Sequence, residues 1–156
     1  MAAPDFKGCF MLKHLILWPL AAFALLQLIH IKIPDAPAKI DPAKEIKAPA
    51  DIKALLERSC YDCHSYRTDI PWYGHIAPFS FEVKSHIKEG RLAVNFQEWG
   101  NYDEEKKQRV YRGIVKTIDW RMPLPMYLDA HPEAKLTDKE RARIKAWAKS
   151  HIKEQE

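Results

Sequence analysis

Two cysteines and a histidine stand close together in the segment CYDCH, which covers residues 60–64. The chain has only one other cysteine, so the spacing of Cys60, Cys63 and His64 constrains its fold more than any other feature. Three kinds of site use cysteines separated by two residues: a redox-active dithiol, half of a zinc site, and the attachment point of a covalently bound haem. Each needs a different surrounding structure, and the rest of the sequence decides among them.

The N-terminal part of the chain carries an uncharged apolar run, LILWPLAAFALLQLI, at residues 15–29. A positive flank before such a run, here Lys13, is typical of an export signal. With its apolar flanks the run reaches roughly 17–20 residues, the lower limit for a membrane-spanning helix. The small-x-small cleavage pattern at Ala36–Ala38 is interrupted by Pro37. We therefore predict a retained transmembrane anchor at residues 10–33, rather than a cleaved signal or a buried core helix.

The positive-inside rule then predicts the orientation of the chain. Residues 1–9 would form a short cytoplasmic N-terminus, and the remainder would be exported. Cys9 precedes the apolar run, so it cannot be a lipoprotein cysteine. Met11 would also begin a well-formed signal and is an alternative translation start. These features predict a single-pass protein of the bacterial cytoplasmic (inner) membrane, with its folded domain in the periplasm.

Residues 34–50, PDAPAKIDPAKEIKAPA, contain four prolines. Proline favours an extended chain that rises about 3.1 Å per residue, so this segment could span on the order of 50 Å. We predict a linker here, with packing along the domain as the alternative. The exported domain would then cover residues 51–156.

The exported part has the periodicity of helices and no convincing strand pattern. Apolar residues recur at helical spacing at 51–60, 78–90, 101–118 and 136–154. Gly90 would end the second helix, and Thr137 with Glu140 would form a capping box for the last. The chain has 5 glycines and 11 prolines, as expected of helices joined by stiff connections. The predicted class is all-α.

The all-α class helps to decide which of the three kinds of site Cys60 and Cys63 form. A thioredoxin-like dithiol belongs to a βαβ framework, and structural zinc usually takes a second Cys/His cluster. The other histidines of the exported part are scattered singly: His75, His86, His131 and His151. Covalent haem uses the whole motif, because Cys60 and Cys63 would each bond one vinyl group while His64 binds the iron. We favour one haem c over zinc or a dithiol, since bacteria attach haem c outside the cytoplasmic membrane.

The sixth ligand of the iron separates an electron carrier from an enzyme. Met122 lies in a proline-stiffened loop, WRMPLPM, in which Pro123 favours extended backbone at residue 122. A methionine sulfur suits ferrous haem and raises its potential. We predict Met122 as the distal ligand. Met126, a histidine (His75 or His131) and an open site are the alternatives.

Aromatic residues near these motifs are expected to wall the haem, because burial excludes water and tunes the potential. The candidates are Trp72, Tyr73, Trp99, Trp120 and Tyr127. Arg67 or Arg121 would pair with a propionate, and His75 is a candidate neighbour of one. Packing in an ordinary core, or exposure at the surface, is the alternative for each.

Several motifs in combination resemble one known family. CYDCHSYRTDIPWYGHIAPFSFEV is followed by GRLAVNFQEW, RMPLPMY and HPEAKLTDKERARIKAW. This series is similar to the small bacterial haem-binding-domain family of c-type cytochromes, over roughly residues 51–150. The resemblance implies a small cytochrome c-like helical domain around one covalent haem, in an electron-transfer setting.

Three functions fit these features. The one we favour is a membrane-anchored mono-haem c-type cytochrome that carries single electrons between a redox donor and an acceptor protein. The second is a haem peroxidase or ligand-binding sensor with a displaceable sixth ligand, for which His75 or His131 would supply acid–base chemistry. The third is an accessory haem subunit of a membrane redox complex. The formal charge of +4 is too weak to indicate nucleic acid.

Overall fold

A computed structural model of the chain describes the backbone of residues 6–153 and the side chains of residues 13–153. The described backbone is all-α and contains no β-strand, which confirms the predicted class. The predictions for residues 1–9, including Cys9, and for an alternative start at Met11 fall outside the side chains that are described.

Seven α-helices occur in the described chain. They are α1 (Phe6–Leu26), α2 (Ala50–Ser59), α3 (Tyr61–His64), α4 (Phe79–Ala93), α5 (Glu104–Thr117), α6 (Pro125–Ala130) and α7 (Asp138–Ser150). Short 3₁₀ helices lie at Pro42–Lys44, Trp72–His75, Phe96–Asn101 and Pro132–Ala134. The chain divides into two compact units, the first formed by Met1–Ile33 and Ile70–Ser85 and the second by Pro34–Asp69 and His86–Glu156.

Side-chain caps define the starts of the two long helices near the C-terminus. The predicted capping box is confirmed, because Thr137 Oγ1 accepts from Glu140 N at 3.3 Å while Glu140 Oε2 accepts from Thr137 N at 2.8 Å. Asp103 caps α5 by accepting from Lys106 N at 2.7 Å. These local hydrogen bonds set the first residues of α5 and α7.

The core of the second unit is built largely from α2, α5 and α7. Leu56 on α2 and Ile144 on α7 are almost fully buried. Beside them, the ring of Tyr111 packs edge-on against Trp99 at 5.1 Å and against Trp147 at 5.6 Å. Edge-to-face aromatic pairs at this separation stabilise a core beyond the area that they bury. Trp99 therefore contributes to the core.

The end of the proline-rich segment nearest α2 packs on this unit. Ile46 is buried, and its backbone N–H donates to Phe96 O at 2.8 Å. Glu45 forms a salt bridge with Lys53 at 2.7 Å. This end of the segment thus takes the alternative arrangement, packing along the domain, and ordered structure begins before residue 51.

The first unit combines α1 with residues 70–85. The side-chain amide of Gln27, just beyond α1, accepts from Ala77 N at 2.9 Å and donates to Ala77 O at 3.3 Å. Across the described part of the chain, no helix has both the length and the hydropathy needed to cross a membrane. The transmembrane anchor at 10–33 stays a prediction.

Candidate functional site

The CYDCH motif lies at a bend between α2 and the single turn of α3. Cys60 N donates to Leu56 O at 2.9 Å, which closes α2, and Cys60 O accepts from His64 N at 3.0 Å, which closes α3. Among the described residues, Cys60 and Cys63 form no disulfide. Helical geometry therefore collects two thiols and an imidazole within about one turn.

The imidazole of His64 is oriented through one of its two ring nitrogens. Nδ1 lies 2.9 Å from Gly90 O and 3.2 Å from Val94 O. Both partners are carbonyl oxygens, which only accept, so Nδ1 carries the proton and Nε2 keeps its lone pair for a metal. Burial lowers the pKa of His64, although the two carbonyls act in the opposite direction. The ring is therefore neutral at neutral pH, the form that binds iron.

Gly90 permits the close approach of α4 to the motif. A Cβ built on Gly90 would lie 2.5 Å from Cys63 O, closer than real Cβ atoms come, and 3.0 Å from Cys63 C. The prediction that Gly90 ends its helix is wrong, because α4 continues to Ala93. The glycine instead allows helix and motif backbones to touch, which brings the Gly90 carbonyl to His64.

The protonation of the cysteines bears on the dithiol alternative. Burial, with a smaller effect of the neighbouring Cys63, raises the pKa of Cys60 to about 12. Burial and the charge of Asp62 raise the pKa of Cys63 to about 11. Redox-active thiols have lowered pKa values instead. No group of three or more His, Cys, Asp or Glu side chains that could hold a metal ion occurs among residues 13–153.

The motif opens onto a cavity of about 730 Å³ in the second unit. This volume falls within the roughly 300–1,000 Å³ of typical cofactor and ligand sites. Cys60, Cys63 and His64 line one side of it. Apolar residues from several helices supply much of the remaining wall, among them Leu56, Val94, Phe96, Val110, Ile114 and Ile144.

Met122 lines the same cavity from the loop between α5 and α6. Its N–H donates to Thr117 O at 3.0 Å, and its carbonyl accepts from Arg141 Nη1 at 3.0 Å. Arg141 also donates to the carbonyl of Ile118, and the Met122–Pro123 peptide bond is cis. The backbone of Met122 is thus held on both sides. Met126 is 54% exposed and is not one of the described residues that line the cavity.

Tyr127 is the predicted aromatic residue that lines the cavity. Its hydroxyl donates to Asp62 Oδ2 at 2.6 Å, and its ring stacks on His131 at 4.4 Å. Burial and the hydrogen bond to Asp62 raise the pKa of Tyr127, so the phenol stays protonated. The pair ties α6 to the middle of the CYDCH motif.

The other predicted aromatic residues lie elsewhere. Trp72 and Tyr73 belong to the first unit, where Trp72 is 76% exposed. Trp99 packs in the core, as described above, and Trp120 is largely exposed with its Nε1 bonded to Lys116 O at 2.9 Å. The described residues that line the cavity all belong to the second unit and include none of these four.

Sequence reasoning missed His86, which lines the cavity from α4. The sequence shows it only as one of the singly scattered histidines of the exported part. His86 stands four residues before Gly90, so the two share a face of α4. The signal was therefore present in the spacing, but it becomes readable only when the contact between Gly90 and the motif is known. His75 and His131 do not appear among the described lining residues.

Three cations line the cavity, of which only one was predicted. They are Lys106, Arg109 and Arg121. Arg67, the other predicted partner for a propionate, instead pairs with Glu57 at 2.9 Å and Glu45 at 3.4 Å. Cationic side chains near an apolar cavity suit a ligand that carries carboxylates.

The donor set fits a covalently attached haem. Cys60 and Cys63 supply two thiols about one helical turn apart, His64 offers Nε2, and Met122 contributes a thioether to the same cavity. The apolar walls suit a porphyrin face, and the three cations suit its propionates. Each of these residue roles remains a prediction.

Comparison with known protein families also indicates a haem-binding domain. The family model for the haem-binding domain matches residues 21–150, which include the CYDCH motif and every described residue that lines the cavity. No curated protein and no solved structure matches the chain. The match spans well over half of the sequence, and the chain belongs to the haem-binding domain family.

Proposed function

We propose that this haem protein is a mono-haem c-type cytochrome that carries single electrons. Cys60 and Cys63 would hold the haem through thioether bonds, with His64 and Met122 as its axial ligands. The observation that carries the proposal is that Met122 lines the same cavity as the CYDCH motif. A haem held in this way supplies a one-electron couple whose potential is raised by the methionine sulfur.

The chain contributes rigidity to both axial ligands. Hydrogen bonds from His64 Nδ1 to the carbonyls of Gly90 in α4 and of Val94 just after it fix the imidazole plane. Thr117 and Arg141 fix the backbone of Met122. Ligands held this firmly would favour small rearrangement on electron transfer, and the apolar part of the wall would limit the access of water to the haem. A carrier needs both properties.

Attachment to a membrane forms a separate part of the proposal. The uncharged apolar run at residues 15–29 supports it, and Lys13 before the run supports export of the haem domain. The domain would then work on the periplasmic side of the bacterial inner membrane. It would pass electrons between a donor and an acceptor protein, or act as a haem subunit of a larger membrane redox complex.

A second function, ligand binding or peroxide chemistry, is favoured by one observation. His86, together with the hydrogen-bonded pair of Tyr127 and Asp62, places polar side chains on the cavity wall. Such groups would assist a bound ligand if the sixth position of the iron were displaceable. The identity of the sixth ligand therefore decides between the two functions.

Substitution of Met122 tests the choice. We expect the ferric wild-type protein to show the weak near-infrared band of sulfur-to-iron charge transfer, and Met122→Ala to lose it. Carbon monoxide should bind the ferrous wild type slowly and the Met122→Ala variant rapidly. Met126→Ala is the matched control and should retain the band. A wild-type protein that lacks the band, binds carbon monoxide at once and turns over peroxide quickly would favour the second function.

A further inference from the structure

We propose that residues 70–79 form a second contact with lipid. This contact lies in the headgroup layer of the bilayer, beside the C-terminal end of α1. The inference rests on the membrane attachment proposed above and goes beyond it. A segment of the haem domain's own sequence, more than forty residues after the apolar run, would share the membrane surface with that run.

The first part of the argument is the surface of α1. Its apolar residues are not confined to one stripe, and most of its large side chains from residue 15 onward are exposed. They include Leu15 at 74%, Leu17 at 58%, Trp18 at 70% and Leu25 at 64%. A helix that is apolar all round needs an apolar environment. Within the first unit the described residues leave these side chains uncovered.

The second part is the way in which Gln27 joins the two segments. Gln27 is the only polar residue of the apolar run. Its amide donates to Phe23 O at 2.9 Å and exchanges two hydrogen bonds with the backbone of Ala77. Polar groups next to hydrocarbon need such partners. The same bonds hold Ala77 at the level where the apolar run ends.

The third part is the composition of the segment that Gln27 holds. Residues 70–81, IPWYGHIAPFSF, contain no Asp, Glu, Lys or Arg. Three of its apolar side chains are exposed: Trp72 at 76%, Phe79 at 60% and Ile76 at 38%. Exposed apolar side chains concentrated in one short segment favour an interaction surface. Tryptophan in particular is enriched where a membrane meets water.

Position and chemistry together favour lipid over a protein partner. The segment is hydrogen-bonded to Gln27, near the end of the apolar run, so a bilayer that surrounds the run also reaches the segment. Its exposed residues are the aromatic and aliphatic types found at the headgroup level.

Spin labels on the full-length, haem-loaded protein test the inference. Cys9→Ser removes the thiol that the haem would leave free, and Trp72→Cys or Phe79→Cys then provides one labelling site. Lys139→Cys, on the exposed side of α7, is the control. The labelled proteins are placed in vesicles of phosphatidylethanolamine and phosphatidylglycerol. Collision rates are measured with oxygen, which concentrates in lipid, and with a water-soluble nickel chelate.

At positions 72 and 79 the ratio of oxygen to nickel collisions should be several-fold higher than at position 139. Gln27→Ala should increase the mobility of the label at 72 and leave that at 139 unchanged. A label at 72 that is as open to nickel as the control, in vesicles that still carry the protein on flotation, would overturn the inference while membrane attachment stands. Labels shielded from both reagents would indicate a protein partner and overturn it as well. Failure of the protein to float with the vesicles would refute membrane attachment and this inference together.

Discussion

Replacement of Gly90 by alanine should disturb the site without changing any ligand. The added Cβ would lie 2.5 Å from the carbonyl oxygen of Cys63, where ordinary contact begins at 3.4 Å. The nearest atoms include the backbone of Cys63, which has no flexible end to swing away. Either α4 or the motif must therefore move by several tenths of an ångström. The hydrogen bond from His64 to the Gly90 carbonyl moves with them.

Two opposing effects set the size of the change. Alanine is favoured over glycine inside a helix by roughly 0.8–1.0 kcal/mol. Overpacking in a tight site costs typically about 1–3 kcal/mol, and a backbone clash this short belongs near the upper end. Weakening of the His64 hydrogen bond further lowers stability by part of the about 0.5–1.5 kcal/mol that such a bond contributes to it. We expect Gly90→Ala to lower the free energy of unfolding by about 2 kcal/mol.

Denaturant unfolding of the haem-loaded proteins measures this difference. Lys88→Ala is the control, because it places alanine on the exposed side of the same helix, where little change in stability is expected. The Gly90→Ala variant should also show an altered ferric spectrum, since the imidazole of His64 is displaced. If Gly90→Ala were as stable as the wild type and spectrally identical to it, the close approach of α4 to the motif would be refuted.

Two further substitutions probe the supports of the site. Arg141→Gln removes the charged donor to the carbonyl of Met122, so the high-spin fraction of the ferric protein should rise and stability should fall by about 2 kcal/mol. Arg143→Gln, on the same helix, should leave the spectrum unchanged, and equal spectra for both variants would contradict the role of Arg141. For Glu45, burial raises the pKa, but hydrogen bonds led by that from Lys53 bring it below its ordinary value of 4.5. A lowered folded-state pKa stabilises the fold above pH 4.5 and ceases to do so as the pH falls through the folded-state value. Stability of Glu45→Gln, measured by unfolding over a series of pH values, should therefore fall less on acidification; a slope equal to that of the wild type would count against the salt bridge.

The parts of the fold that depend on neighbouring residues were predictable from sequence. The all-α class, the helix at 51–60 and the capping box of Thr137 and Glu140 follow from local spacing, and the structure confirms them. The ends of helices were less predictable. Glycine commonly ends a helix, yet α4 continues past Gly90 because packing against Cys63 overrides that local preference.

The wall of the cavity could be predicted only in part. The spacing of the CYDCH motif identifies three of its members, because their chemistry is contained in the motif itself. His86 and Lys106 come from α4 and α5, and their place on the wall depends on how those helices pack. Trp99 was predicted to wall the haem because it is aromatic, but its ring packs against Tyr111 in the core. Such choices arise from tertiary contacts, which periodicity does not contain.

Covalent attachment of haem through Cys60 and Cys63 is the claim on which the electron-carrier assignment depends. The most direct measurement is the intact mass of the denatured protein after expression together with a bacterial haem c maturation system. We predict a mass greater than that of the polypeptide by one haem, and peroxidase-active staining that stays with the chain on a denaturing gel. The Cys60→Ser, Cys63→Ser double variant should lose both. A wild-type chain at the mass of the bare polypeptide, without stain, would contradict the account.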